Sequence, residues 1–263
     1  SALANLRSLS RIVGNIPQAK EPLEEITTSL EGGRELIARR DAGDISETDL
    51  PADLLTAVAA HADAAFDSDP DLAVRQVITD FLHAGTGTTA GAVVHAIDEL
   101  ERWWAAHPED RARRDDPRFL GRAVHEVLRL HSANPAEVRR AVEDITLSAG
   151  TQVKAGQYVA LRTGVANRDP LVFGPDADRF DPHRIVPAGT YPYGVAFGSG
   201  PHMCYGLPLA VGSDDVDGNI LLFLRRLYAS GIRRDPERPA RYRPALAHAD
   251  LKSFESYPVV LGG

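Results

Sequence analysis

A single cysteine set in a glycine-rich loop constrains this chain more than any other feature. Residues 197–206 read Phe-Gly-Ser-Gly-Pro-His-Met-Cys-Tyr-Gly, and Cys204 is the one cysteine among 263 residues. Glycines allow the backbone to approach a flat group closely, and a helix beginning just after the loop would favour a thiolate. A lone cysteine cannot form an internal disulfide or a multi-thiolate metal site. Two interpretations remain: an inert cysteine beside a turn, or a single thiolate ligand to a metal.

The overall composition is that of a globular protein with a sizeable core, at 43% hydrophobic and 25% charged residues. The net charge is −8, and no run of lysine and arginine is long enough to bind phosphates. Both observations argue against nucleic acid or an anionic membrane as a partner. No apolar stretch approaches the roughly 20 residues that span a bilayer, and the first thirty residues do not resemble a signal peptide. We therefore expect a cytoplasmic protein.

The spacing of apolar residues predicts a mainly α-helical chain with small β-hairpins. The first third, up to about Phe66, is typical of short helices. Asp69-Pro70 and Asp116-Pro117 each pair an N-cap with proline at the first helical position. The first of these signals predicts one long helix to about Trp104. Short alternating segments from Ile145 to Leu161 indicate β-hairpins, and we expect a final helix over about Leu207–Ser230.

These elements, in this order, resemble the cytochrome P-450 superfamily of bacterial type. The family's cysteine loop, Phe-Gly-x-Gly-x-His-x-Cys-x-Gly, is matched at every specified position. Four further segments are similar to family motifs: the distal helix at Ala84–Thr89, the Glu-x-x-Arg helix at Glu126–Arg129, the segment Ala166–Pro170 with Phe173, and the meander at Arg179–Asp181. The resemblance implies a truncated cytochrome P-450 fold. Residues 1–66 would form a helical segment that replaces part of the usual roof, and residues 67–263 the haem-thiolate core.

The resemblance also implies a cofactor and the residues that hold it. The cofactor is haem b, with the Cys204 thiolate as axial ligand to the iron. Phe197, Gly198 and Gly206 would shape the loop around it. His202 and Arg139 would bind the haem propionates, with Arg140 as the substitute for Arg139.

Two other groups of residues acquire roles in the same way. Glu126, Arg129 and Arg179 would form the family's structural Glu-Arg-Arg network; taken alone, Glu126 and Arg129 would more simply be an exposed i, i+3 ion pair. The residues expected to line the distal pocket are Ala84, Gly85, Gly87 and Thr88.

Three departures from the family pattern bear on function. Gly87 stands where an acidic residue usually precedes the distal threonine, so the acid-alcohol pair that delivers protons to oxygen is incomplete. Only about seventy residues precede the distal helix, so either the N-terminal helices are redeployed over the haem or a second copy of the chain covers it. Leu209-Ala210-Val211-Gly212 lacks the arginine that commonly follows Leu-Ala, which alters the surface where electron donors dock.

The leading hypothesis is a haem-thiolate enzyme, monooxygenase- or peroxygenase-like, acting on a small-molecule specialised metabolite. It would use O2 with a ferredoxin-type donor, use peroxide, or carry out a redox-neutral dehydration, rearrangement or cyclisation. The alternative is a non-catalytic auxiliary protein that activates or stabilises a partner enzyme. Retention of Cys204 favours the enzyme, and a haem-based sensor or carrier is a third option.

Overall fold

The computed structural model describes residues 32, 35–49, 70–213, 216–242 and 253–262, with side chains of the first long helix described from Ala84 onward. The chain divides into two compact units, residues 1–85 and 86–263. In the first unit, residues 35–41 are helical and Glu47–Asp49 form a 3-10 turn. The predicted segment 1–66 lies largely outside the described residues, so its role as a roof and the boundary at 66/67 stay predictions.

Both helix starts predicted from Asp-Pro pairs are confirmed. Helix α1 spans Pro70–Ala106 and remains continuous through Gly85 and Gly87. Helix α2 spans Pro117–Leu130, and the carboxylate of Asp116 accepts a hydrogen bond of 2.9 Å from the backbone N–H of Arg118. That bond satisfies one of the backbone donors that a helix N-terminus leaves unpaired. No helix in the described part of the chain is long and apolar enough to cross a membrane.

The hairpins predicted between residues 145 and 161 are confirmed, and one of their strands pairs with an earlier one. Strand β1 (Glu137–Arg140) lies antiparallel to β4 (Tyr158–Leu161), with Arg139 opposite Val159. Strand β2 (Ile145–Thr146) pairs with β3 (Gln152–Val153). Two short helices follow, α3 (Thr163–Ala166) and α4 (Pro170–Phe173). The meander and the cysteine loop come next, with a 3-10 turn at Gly200–His202.

The final helix predicted over Leu207–Ser230 is wrong, because the chain leaves the helix at Gly212. Helix α5 covers only Leu207–Val211. Strands β5 (Gly212–Ser213) and β6 (Val216–Asp217) then form an antiparallel pair before helix α6, Asn219–Ala229. Gly212 has φ +84°, and a Cβ built there would lie 2.1 Å from the carbonyl oxygen of Val216. Only glycine permits this backbone to fold back on itself.

The C-terminal segment completes the second unit with two more antiparallel pairs. Strand β7 (Arg233–Arg234) pairs with β10 (Val259–Val260), and β8 (Arg241–Tyr242) pairs with β9 (Phe254–Ser256). The hydrophobic core lies among helices α1, α2 and α6. Its fully buried side chains include Leu100 from α1, Phe119, Leu120 and Val127 from α2, and Leu224 from α6.

A buried carboxylate ties the turn after α1 to the meander. Asp110, in the 3-10 helix Pro108–Arg113, accepts a hydrogen bond of 2.8 Å from Trp103 Nε1 and lies 2.7 Å from His183 Nε2. Burial opposes the charged form of Asp110, but the hydrogen bonds of His183 and Trp103 outweigh it and hold the pKa of this carboxyl below its usual value. The charged form of Asp110 therefore stabilises the folded state.

We expect the stability contributed by Asp110 to disappear in acid. Because the folded-state pKa lies below the unfolded value of about 3.9, the contribution is complete above that value and is lost as the pH falls through the folded-state pKa. The free energy of unfolding of Asp110→Asn should therefore fall below that of the wild type at pH 7, and the gap should shrink below about pH 4. Urea unfolding across that range measures it. Asp115→Asn, at an exposed neighbour, is the control; a gap for Asp110→Asn that is constant with pH contradicts the prediction.

Candidate functional site

One backbone hydrogen bond closes the cysteine loop at its base. The N–H of Cys204 donates to the carbonyl oxygen of Phe197 at 2.9 Å. Within the loop, Gly198 and Gly200 adopt φ of +70° and +66°, which side-chain-bearing residues rarely adopt. Phe197 packs against the hydrophobic core, and its ring meets that of Tyr193 edge-on with centroids 5.2 Å apart. The aromatic ring thus anchors one end of the loop.

The other end of the loop presents the cysteine at its surface. Cys204 is exposed, and its carbonyl accepts a hydrogen bond of 3.3 Å from the N–H of Leu207, the first residue of α5. A Cβ built at Gly206 would lie 3.6 Å from the sulfur of Cys204. Because residue 206 is glycine, it places no side-chain atom against this flank of the sulfur. His202 is also exposed, in the 3-10 turn Gly200–His202.

The two arginines predicted to bind propionates lie on β1 but differ in their surroundings. The Arg139 guanidinium pairs with the carboxylate of Glu137, two residues earlier on the same strand. Glu137 in turn lies beside the cysteine loop, since its Oε1 would be 3.8 Å from a Cβ built at Gly198. The Arg140 guanidinium lies beside Gly156, at 3.7 Å from where a Cβ would be. Arg139 is thus paired with Glu137, the residue of β1 that adjoins the cysteine loop. Arg140 instead lies beside the turn between β3 and β4.

The residues predicted to line the distal pocket lie within α1. Ala84, Gly85, Gly87 and Thr88 are all exposed. A Cβ at either glycine would meet open space, so neither is required by packing. Ala84 and Gly85 belong to the first unit, and Gly87 and Thr88 to the second.

The pair formed by Glu126 and Arg129 is buried, which excludes the interpretation as an exposed ion pair. Glu126 is 3% exposed and Arg129 is 0% exposed. Two parallel hydrogen bonds join them, Arg129 Nε to Glu126 Oε2 at 2.7 Å and Arg129 Nη2 to Glu126 Oε1 at 2.6 Å. The remaining guanidinium nitrogen, Nη1, donates to the carbonyl oxygens of Asn167 and Ala177. A buried charge of this kind is tolerated only when its hydrogen bonds are complete.

The third side chain of this network is Arg184, and the expectation for Arg179 is wrong. Arg184 Nε donates to Glu126 Oε1 at 2.9 Å, whereas Arg179 is exposed and contributes its backbone carbonyl to Arg184 and Arg129. Arg184 also pairs with Asp176 at 2.8 Å. Burial opposes the charge of Arg184, but the hydrogen bonds to Glu126 and Asp176 prevail and raise its pKa. The hydrogen bond from Arg184 also lowers the pKa of Asp176.

Asn167 connects this network to the segment that leads into the cysteine loop. Its side chain is fully buried, its Nδ2 donates to the carbonyl of Arg129 at 3.0 Å, and its Oδ1 accepts from the N–H of Val195 at 2.8 Å. Gly194, next to Val195, has φ +60°. Asn167 lies within the family-like segment Ala166–Pro170, but that motif predicted no role for it. The signal was an asparagine in an otherwise apolar and charged segment.

The donor set at the loop fits haem. Haem needs an axial ligand that can approach the iron, space for a flat ring, and cations for its carboxylates. Cys204 supplies an exposed thiol, Gly206 leaves its flank open, and Arg139 provides a guanidinium on the strand that adjoins the loop.

Comparison with known proteins agrees with this geometry. The cytochrome P450 family model matches residues 24–212, well over half of the chain. This chain belongs to the cytochrome P450 family. Members of the family carry haem with a cysteine thiolate ligand, and the cytochrome P450 fold expected from the motifs is confirmed.

Three relatives illustrate the range of the match. The chain is 36% identical over 157 residues to the mycinamicin VIII C21 methyl hydroxylase of Micromonospora griseorubida, covering 59% of this chain and 37% of the relative. It is 27% identical over 168 residues to the indoleacetaldoxime dehydratase of Arabidopsis thaliana, covering 54% and 33%. The tirandamycin C-bound P450 monooxygenase TamI superposes with a TM-score of 0.58 at 28% identity, covering 90% of this chain and 54% of that one. The chain thus spans two fifths or less of these two curated relatives.

Proposed function

We propose that this P450 chain holds haem b through Cys204 and acts on a small-molecule metabolite as an oxidoreductase. The observation that carries the proposal is the exposed Cys204 thiol on a loop closed by the hydrogen bond from Cys204 N–H to the Phe197 carbonyl. A short, closed loop fixes the sulfur relative to the core, as an axial ligand requires. The printed name of the mycinamicin relative, a hydroxylase, supports the assignment to oxidation.

Around that ligand, the chain's own residues take separate roles. Gly198 and Gly206 leave room for the flat ring, and Phe197 anchors the loop to the core. Arg139, on the strand beside the loop, and His202, within the loop, are both exposed and would bind the haem propionates. Glu126, Arg129 and Arg184 fix the meander from which the loop emerges.

The distal residues bear on which oxidant is used. Bound haem would supply the redox or Lewis-acid chemistry at its open coordination position. On the protein side, the Thr88 hydroxyl can donate one hydrogen bond, while Gly87 offers no carboxylate to pass a proton to it. We therefore propose peroxide-driven oxidation and redox-neutral chemistry as alternatives to oxidation with O2 and a ferredoxin-type donor. The dehydratase among the relatives supports the redox-neutral branch.

An absorption spectrum tests the proposed ligand. The chain is expressed with ample haem precursor, reduced under carbon monoxide, and compared with Cys204→Ser. We expect a strongly red-shifted Soret band in the wild type and its complete loss in the variant, because an alcohol oxygen does not donate electron density to iron as a thiolate does. Since Cys204 is exposed, the variant should keep its circular dichroism spectrum. A wild type that takes up no haem, or a variant with the same band, rejects the proposal.

A further inference from the structure

Strand β1 carries a glutamate, Glu137, next to Arg139, the arginine that is expected to bind a haem propionate. Glu137 and Arg139 are two residues apart on one strand, so their side chains project from the same face. Arg139 Nη2 and Glu137 Oε2 are 2.5 Å apart, and the two side chains are 44% and 25% exposed. Arg139 therefore already has an anionic partner within its own strand.

The position of Glu137 relates this pair to the cysteine loop. The Glu137 Oε1 atom would lie 3.8 Å from a Cβ built at Gly198, six residues before Cys204. A carboxylate of the protein thus occupies the edge of the loop that presents the thiol. The neighbouring Arg140 does not share this site, because its guanidinium lies beside Gly156.

We propose that Glu137 competes with a haem propionate for Arg139 and thereby weakens the binding of haem. The inference rests on the proposed function, since it assumes that haem binds at Cys204. A propionate and a glutamate side chain carry the same carboxylate, and one guanidinium forms its best two-bond contact with one carboxylate at a time. Haem must therefore exchange with Glu137, and the displaced carboxylate then lies near a second negative charge.

The test is a titration of each apoprotein with hemin, following the Soret band to obtain a dissociation constant. We expect Glu137→Gln to bind hemin about threefold to tenfold more tightly than the wild type. A change of this size is expected when a partly exposed ion pair no longer has to be broken and the repulsion between two carboxylates is removed. The advantage should shrink in concentrated salt, which screens charges at this exposure. Glu143→Gln removes the same charge from the bend between β1 and β2 and should leave the constant within a factor of two.

A double variant determines whether Glu137 acts through Arg139. If it does, adding Glu137→Gln to Arg139→Gln should change hemin affinity no more than Glu143→Gln does. Equal or weaker binding by the single Glu137→Gln variant overturns the inference, and weaker binding would instead mean that Glu137 orients Arg139 for the propionate. Absence of hemin binding by the wild type, or an unchanged spectrum in Cys204→Ser, would reject the proposed function itself and the inference with it.

Discussion

Replacement of Arg129 by alanine should destabilise the second unit by about 4 kcal/mol, the cost of leaving one partner of a buried ion pair alone. The guanidinium is fully buried and donates to Glu126 and to the carbonyls of Asn167 and Ala177. Without it, the Glu126 carboxylate keeps the hydrogen bond from Arg184 but loses both bonds from Arg129. A loss of this size is a large part of the total stability of a typical domain, so we expect a mostly unfolded or aggregated product.

Urea unfolding followed by circular dichroism measures the effect, and α2 itself supplies the control. Arg118 is exposed in the first turn of the same helix, so Arg118→Ala should change the free energy of unfolding by about 0.5 kcal/mol or less. Arg129→Lys keeps the charge but cannot reproduce the two parallel bonds to Glu126, and it should lie between the two alanine variants. Equal stability of Arg118→Ala and Arg129→Ala would show that the buried network is not needed for folding.

Gly194→Ala should be the second most destabilising change, because it puts a side chain on a backbone with positive φ and also creates a steric clash. The φ of +60° costs an alanine roughly 1–2 kcal/mol. The new Cβ would also lie 2.2 Å from Oδ1 of Asn167 and 3.3 Å from the ring of Phe173. Asn167 cannot move away without breaking its hydrogen bonds to Arg129 and Val195. Together these effects should exceed about 3 kcal/mol, adding overpacking to the backbone cost.

Gly189 separates the two contributions. It also has a positive φ, of 82°, but a Cβ there would meet nothing within 4 Å. Gly189→Ala should therefore show the backbone cost alone, about 1–2 kcal/mol, and the difference from Gly194→Ala measures the clash with Asn167. Equal unfolding free energies for the two variants would argue against a rigid Asn167. If the clash is real, Asn167→Ala and Gly194→Ala should be strongly non-additive when combined.

Local signals in the sequence predicted the helix starts. Asp116 followed by proline specified the start of α2, since the cap bond spans only two residues, and the same pattern placed the start of α1 at Pro70. The final helix was mispredicted because its apolar spacing is helical on both sides of the break. Gly212 and Gly218 were visible in the sequence, but their role depends on backbone atoms four to eight residues away, which lie 2.1–2.4 Å from where a Cβ would be.

The network around Glu126 likewise combines one contact that the sequence predicted with another, between residues far apart in the chain, that it did not. The Glu-x-x-Arg spacing correctly paired Glu126 with Arg129, because residues three apart on a helix share a face. The choice between Arg179 and Arg184 could not be made from spacing. Arg179 begins the meander and Arg184 follows it closely. The path of the chain around Asp181 and Pro182 brings the side chain of Arg184, and not that of Arg179, to Glu126, which is 58 residues away in sequence.

Local sequence patterns were sufficient to predict the family, the starts of α1 and α2, and the cysteine that is proposed to bind iron, since each of these is encoded in a few neighbouring residues. The three-dimensional fold was needed to show which arginine completes the buried network, how Asn167 connects it to the loop, and that Glu137 pairs with Arg139 beside Gly198. The physical reason is that a buried polar group must find a partner wherever the fold places one. Sequence distance does not limit that choice.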